Sequence, residues 1–142
     1  MATFSVDYYD VVMELLRQEL PDVTVMSKIP DELTRYLPLV VLRRIGGDSA
    51  APEFYDDPWL NIQCWADEDP VNGIDASRAA FNLADAIRGV LWRAFRTQQV
   101  VEGYGWIISV RESSAPQEIP DEALPHLGRY SATYELRVRP AA

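Results

Sequence analysis

The order of helical and strand-like segments predicts an α+β fold with two layers, in which two helices pack on one face of a mainly antiparallel sheet of about five strands. Two segments repeat apolar residues at three- and four-residue spacing, as amphipathic helices do. Five shorter segments alternate in polarity or are rich in β-branched residues, as strands are. Their order, helix, three strands, helix, two strands, indicates that both helices cover the same face. Because a length of 142 residues suits one core, we predict a single domain over residues 1–142.

The first helix is predicted over residues 8–20. Its apolar residues share one face: Tyr8, Val11, Val12, Leu15, Leu16 and Leu20. Ser5 is the expected N-cap, Asp7 suits the positive end of the helix dipole, and Pro21 ends the helix.

The first two strands are predicted on either side of a turn at residues 30–32. Residues 23–29 alternate in polarity, as a half-buried strand does. Residues 39–45 form a denser apolar run, which indicates a more central strand. The pair Gly46 and Gly47 follows this run and predicts a turn, because glycine readily adopts positive φ.

A long acidic loop over residues 48–58 leads to a third strand over residues 59–66, and the two strands resemble the arms of a hairpin. The second helix is predicted over residues 75–95, where one face carries Ala76, Ala80, Leu83, Ile87, Leu91 and Ala94. The last two strands are predicted over residues 106–111 and 130–139, with a proline-rich loop between them.

The composition excludes several classes of function. A net charge of −9 opposes binding to nucleic acid, which requires lysine and arginine at the phosphates. The apolar stretch 37–42 is far shorter than the roughly 20 residues of a membrane-spanning helix. A single cysteine, Cys64, cannot form an internal disulfide, so we expect folding in a cytoplasm, with no membrane partner.

The residues that could carry catalysis are few. Cys64 and His126 are the only candidates for a thiol nucleophile and an imidazole base, and a buried small residue with a surface histidine is the favoured alternative. The acidic run 67–69 lacks the spacing of a calcium loop. The glycines make no phosphate-binding motif. We therefore expect no enzyme activity, no metal site and no cofactor.

The aromatic residues favour packing or an interface over base stacking, because an acidic chain lacks the basic groove of a stacking platform. Trp59 and Trp65 share the strand face opposite Cys64. If the helices do not cover that face, the two tryptophans would mark an oligomer interface.

Two long loops are the predicted contact regions for partner proteins, over residues 49–58 and 113–125. Each mixes proline with apolar and acidic residues. Their expected apolar anchors are Phe54, Tyr55 and Ile119.

The arrangement of the whole chain resembles the tail terminator proteins of long-tailed bacteriophages. The segments that carry the resemblance follow the opening helix: LVVLRRIGG at 39–47, LNIQCWA at 60–66, the alanine-rich helix around 79–88, and RYSATYELRVR at 129–139. The resemblance implies a two-layer subunit that forms a hexameric ring on the last ring of tail tube protein. It further implies that this ring stops tube polymerisation and presents a surface to the head-side neck, without catalysis or a cofactor.

The resemblance also sets the expected location and the alternatives. It implies a place in the tail or neck of the virion after assembly in the host cytoplasm, and genome DNA could pass through the ring. Another neck or tail-completion subunit would share size, acidity and architecture. A small-molecule-binding or hydrolytic α+β domain is the alternative from a different class.

Closure of such a ring needs two different complementary surfaces on each subunit. Residues 1–69 hold 14 acidic and 5 basic residues, whereas residues 70–142 hold 8 of each. We therefore expect acidic residues of one subunit to face arginines of the next; the acidic candidates are Asp48, Glu53, Asp56, Asp57, Asp67, Glu68 and Asp69. The arginine candidates are Arg78, Arg88, Arg93, Arg137 and Arg139. The alternative is that these charges only keep the subunit soluble.

Overall fold

A computed structural model describes residues 8–48 and 50–141 of the chain. In chain order the elements are α1 (Tyr8–Glu19), β1 (Thr24–Met26), the 3₁₀ turn η1 (Leu33–Tyr36), β2 (Leu39–Asp48), β3 (Asp57–Ala66), α2 (Ala76–Thr97), β4 (Gly105–Glu118) and β5 (Gly128–Pro140). The five strands form one sheet in the order β1-β2-β3-β5-β4. Strand β1 is parallel to β2, and the other three pairs are antiparallel. This architecture confirms the predicted α+β class.

Both helices pack on the same face of the sheet, as predicted, because each has one apolar side. The side chains of Val12 and Leu16 in α1 and of Ile87 and Leu91 in α2 are buried in one cluster with alternate residues of the strands. From β3 this cluster takes Leu60, Ile62 and Cys64, and from β5 it takes Ala132, Tyr134, Leu136 and Val138. The period of two in the strands thus fixes which face meets the helices.

Helix α2 begins and ends through its own local hydrogen bonds. The side chain of Asp75 caps the N-terminus, where its Oδ1 accepts a hydrogen bond from the backbone N–H of Arg78 at 2.7 Å. Gln98 adopts a left-handed conformation with φ of 50°, which ends the helix. The helix therefore runs two residues beyond the predicted end. The expected N-cap of α1, Ser5, and the expected first-turn Asp7 lie outside the described residues.

The predicted turn at Gly46 and Gly47 is wrong, because β2 continues through both glycines to Asp48 and pairs with β3. The register shifts between Arg44 and Gly46, which is a β-bulge. Gly47 has φ of +121°, and a Cβ there would clash with the carbonyl oxygen of Asp57. The pair is therefore required by the bulge and by close approach of β3. The second strand lies inside the sheet between β1 and β3, so its predicted more central position relative to the first strand is confirmed.

Three other boundaries differ from the prediction. Strand β1 has only three residues, and the segment that follows it forms η1 after the predicted turn. Strand β4 continues to Glu118, so the first half of the predicted loop 113–125 belongs to the sheet. The pairing of this extension with β5 is interrupted by register shifts. These shifts break the regular alternation of inward and outward side chains, so the sequence pattern of a strand is not visible there.

The second face of the sheet is covered at one end by a smaller core. Trp65 is only 1% exposed and packs there with Leu33 of η1 and with Leu127 from the loop before β5. The predicted exposure of Trp65 is therefore wrong, because η1 and the 119–127 loop cover this end of the face. Trp59, at the other end of β3, is exposed as predicted.

The close contact between β5 and α2 gives a stability prediction for Gly128→Ala. A Cβ at Gly128 would collide with the carbonyl of Ala76 in the first turn of α2. We expect the substitution to lower the free energy of unfolding by about 1–3 kcal/mol or more. Gly89→Ala is the matched control, because Gly89 is exposed in the interior of α2 with open space around it. The control should raise stability by about 0.5–1 kcal/mol. Urea unfolding of both variants measures the difference, and equal midpoints would contradict this account.

Candidate functional site

The candidate catalytic residues do not form a site. Cys64 is buried under the helices, and burial raises the pKa of its thiol to about 12, which keeps it protonated and inert. His126 lies exposed in the 119–127 loop, on the chain segment that covers the opposite face. The carboxylate of Asp69 accepts a hydrogen bond from the side-chain amide of Asn72 at 2.7 Å, in the turn before α2. Within residues 8–48 and 50–141 no three His, Cys, Asp or Glu side chains could hold a metal ion.

The connection between β2 and β3 is held firmly to β5. We call residues 44–48 and 50–59 the hairpin tip. The backbone of Asp56 exchanges two hydrogen bonds with that of Val138, with N···O distances of 3.0 and 2.9 Å. The backbone N–H groups of Phe54 and Tyr55 both donate to the carbonyl oxygen of Ala51, which closes a turn. The tip is therefore an ordered extension of the sheet.

Two ion pairs also order the hairpin tip: one lies within it, and the other joins it to β5. Nη1 of Arg44 donates to Oδ2 of Asp56 at 2.6 Å, and Asp56 is only 6% exposed. Arg137 donates two hydrogen bonds to the carboxylate of Asp57, at 2.6 and 2.8 Å, and the hydrogen bonds raise the pKa of Arg137. The guanidinium of Arg137 also lies over the ring of Tyr55, 4.3 Å from its centroid. Two of the predicted interface acids are thus bound within their own chain.

The attachment leaves apolar side chains of the hairpin tip facing outward. Phe54 is 58% exposed, Ile45 54% and Trp59 47%. The Trp59 ring lies over Gly46, where an added Cβ would come within 3.2 Å of it. Large apolar side chains exposed on an ordered segment are typical of a protein-interaction site. The predicted anchor Phe54 fits this description, whereas Tyr55 is partly buried against Arg137.

Arg88, another predicted interface residue, is bound within the chain instead. Its guanidinium donates two hydrogen bonds to the carboxylate of Glu112 on β4, at 2.8 and 2.7 Å. The hydrogen bonds from Arg88 lower the pKa of Glu112. Beside this pair, burial raises the pKa of Tyr134, whose ring stacks edge-on against Trp92. Arg88 therefore joins α2 to the sheet.

The remaining predicted site residues are spread over several surfaces. Arg78 lies over the ring of Phe81, 5.0 Å from its centroid, and Arg139 lies over Trp106 at 5.9 Å. Arg93 is exposed on α2. Ile119 is 38% exposed in the 119–127 loop, where its backbone N–H donates to the carbonyl of Arg129. Contacts of these residues, and of exposed Asp48, Glu53, Asp67 and Glu68, with a neighbouring subunit stay a prediction.

Sequence reasoning missed two features of the surface. Ile45 is a further exposed apolar residue of the hairpin tip, and it lies at the β-bulge between Arg44 and Gly46, which local sequence does not reveal. A polar ladder crosses the second face of the sheet, where Arg129 donates to Gln63 at 2.6 Å and Gln63 donates to Asn61 at 3.0 Å. Asn61 in turn donates to the hydroxyl of Ser131 at 2.8 Å. Because these residues alternate with the buried ones in β3 and β5, the sequence indicated that they lie on the second face of the sheet. It did not indicate the hydrogen bonds between them.

The Arg88 ion pair gives a prediction that separates stability from assembly. Arg88→Glu should lower the free energy of unfolding by about 1–3 kcal/mol. This is less than the about 3–5 kcal/mol of a fully buried pair, because the Arg88 side chain is 36% exposed. Arg93→Glu is the matched control on the same helix, and we expect a change within about 0.5 kcal/mol. Urea unfolding at neutral pH tests this, and equal loss in both variants would contradict it.

The same variant should show a dependence on pH. Since the folded protein lowers the pKa of Glu112, the stabilisation is complete above the ordinary glutamate value of 4.5 and is lost as pH falls through the lowered value. The stability difference between wild type and Arg88→Glu should therefore narrow at acid pH. A difference that is constant from pH 7 to pH 3 would show that the carboxylate is not involved.

Comparison with known proteins places the chain in a family. The described helices include none that is long and apolar enough to cross a membrane. A search of curated proteins finds no match. A family model described as "Phage tail termination protein" matches residues 5–142, which include every described helix and strand. The family is structural and belongs to the phage tail, and hence to the virion. The chain therefore belongs to the phage tail termination protein family.

Proposed function

We propose that this protein ends the tail tube of a long-tailed phage by forming a ring on its last layer of tube subunits, and that the ring then joins the tail to the head-side neck. The observation that carries the proposal is the extent of the family match, residues 5–142. The resemblance of the segments at 39–47, 60–66 and 129–139 supports the ring, with six copies. Assembly takes place in the host cytoplasm, and each subunit is one domain without enzyme activity.

The structure supports the proposal with an ordered, outward-facing contact surface. A protein that ends a polymer must bind the growing end of the tube. Its opposite surface must not bind a further tube subunit. The hairpin tip presents Phe54, Ile45 and Trp59 on a rigid base, so little conformational entropy is lost when a partner binds. The 119–127 loop, with Ile119, lies at the opposite end of the sheet face and provides a second contact region.

Tail length tests the proposed function directly. Phage that lack this protein should produce tubes of irregular and excessive length without heads, because nothing ends polymerisation. Supplying the wild-type protein should restore tails of uniform length. Negative-stain electron microscopy of lysates measures both. Uniform, head-bearing tails in its absence would contradict the proposal.

The proposed absence of catalysis is tested by the double substitution Cys64→Ala with His126→Ala. Neither residue belongs to a built site, so the variant should restore uniform tails as wild type does. Circular dichroism confirms that it folds, since Cys64 lies in the core. A folded double variant that fails to restore tails would show that one of these two residues has a chemical role.

A further inference from the structure

Strand β1 is an edge strand among the residues that the structure describes, and it borders an open groove. The groove has a volume of about 710 Å³ and lies between α1 and the segment 23–31. Its apolar lining includes Met13, Val23, Met26, Ile29 and Pro30. Its volume is within the range of about 300–1,000 Å³ that is common for binding pockets. Ile29, at its rim, is 47% exposed.

A smaller basic depression of about 380 Å³ adjoins the groove and shares Ser27, Lys28 and Ile29 with it. The depression is completed by Arg43 and Arg44. Arg44 is bound to Asp56, whereas neither Lys28 nor Arg43 has an ion-pair partner within the part of the chain that the structure describes. A groove with a mainly apolar lining, which also includes Arg17 and Asp31, thus lies directly beside two exposed positive charges that have no ion-pair partner among the described residues, on a protein of net charge −9.

The hairpin tip carries the complementary pair of side chains. Glu53 and Phe54 are adjacent in the chain and both exposed, on a turn closed by hydrogen bonds to Ala51. In the tip an acidic side chain thus lies next to an aromatic one. The apolar groove likewise lies next to the basic depression, so the two surfaces are complementary. Two of the other three carboxylates of the tip, Asp56 and Asp57, are bound to arginines of their own chain, and the third, Asp48, lies on β2 and is not adjacent to Phe54 in the chain. Glu53 is therefore the acid that adjoins the anchor.

We propose that the groove at β1 binds the hairpin tip of a second copy of this chain, with Phe54 in the apolar groove and Glu53 facing Lys28 and Arg43. The structure has Phe54 outside its own groove, since more than half of its surface is exposed. In the proposed ring this contact is head-to-tail: the tip of each copy enters the groove of the next, and the contact repeats from copy to copy until the ring closes. This interface rests on the proposed ring-forming function.

Cysteine cross-linking tests the interface. Ile29→Cys and Glu53→Cys are made in separate chains, which keeps the Phe54 anchor in place, and the chains are mixed and treated with a short bismaleimide reagent. We expect a cross-linked dimer only in the mixture, because a head-to-tail contact never brings two copies of the same position together. The chain that carries both cysteines should give a ladder beyond the dimer. Native Cys64 stays silent, because burial raises its pKa to about 12.

Val71→Cys replaces Glu53→Cys in the matched control. Val71 is a large apolar residue that is almost fully exposed but lies in the turn before α2, away from the hairpin tip. A mixture of Val71→Cys with Ile29→Cys should give less than a tenth of the cross-linked product. Phe54→Ala should weaken association by about tenfold or more, as loss of an aromatic anchor does. Glu53→Lys should weaken it less and be partly rescued by Lys28→Glu.

The assembly state, measured by light scattering and on tails, separates failure of the interface from failure of the function. Oligomers that form without the Ile29–Glu53 cross-link would overturn the interface and leave the ring intact. Cross-linked product that stops at the dimer in the double-cysteine chain would overturn the head-to-tail geometry. A chain that stays monomeric, both free and on tails, would overturn the proposed ring together with the interface.

Discussion

The rest of the structure depends on the burial of one face of the sheet beneath α1 and α2. Strand β3 supplies Leu60, Ile62 and Cys64 to that face, and β5 adds Tyr134 and Leu136. At roughly 25 cal/mol per Å² of buried apolar surface, such a layer is the main favourable term for a domain of this size. Because side chains of a strand alternate, this burial forces the neighbouring residues of both strands to the other face. The polar ladder from Arg129 to Ser131 lies there for that reason.

The same constraint explains where the charged residues lie. Asp56 shares the helix-covered face with Val138, so its carboxylate leaves water on folding. A buried carboxylate destabilises a protein unless a base binds it, and Arg44 at 2.6 Å provides that base. Glu112 and Arg88 follow the same rule between β4 and α2. These ion pairs are requirements of the fold, and they remove half of the acidic hairpin tip from the surface available to partners.

The sequence allowed the main elements to be predicted because their signals are local. Both helices and strands β3 and β5 follow from periodicity alone, and Asp75 is a local cap. The bulge at Gly46 and Gly47 could not be predicted, since the need for glycine comes from contact with β3. Trp65 was expected to be exposed like Trp59. Alternation shows which residues share a face of the sheet, but it does not show which other elements cover that face. Arg88 and Arg137 looked like surface charges because their partners are 24 and 80 residues away in the sequence.

Association of such subunits must work against their charge. Each copy carries a net charge of −9, and long-range electrostatics therefore oppose contact between copies, although salt screens them beyond about 8–10 Å. Burial of apolar surface at short range therefore has to provide the favourable free energy of association. The exposed apolar side chains on the rigid hairpin tip are suited to this burial. The hairpin tip is ordered by backbone bonds to β5 and by two ion pairs before any partner arrives. The same pairs neutralise Asp56 and Asp57, two of its four acids. The anchoring that stabilises the subunit thus also lowers the electrostatic and entropic obstacles to contact at this surface.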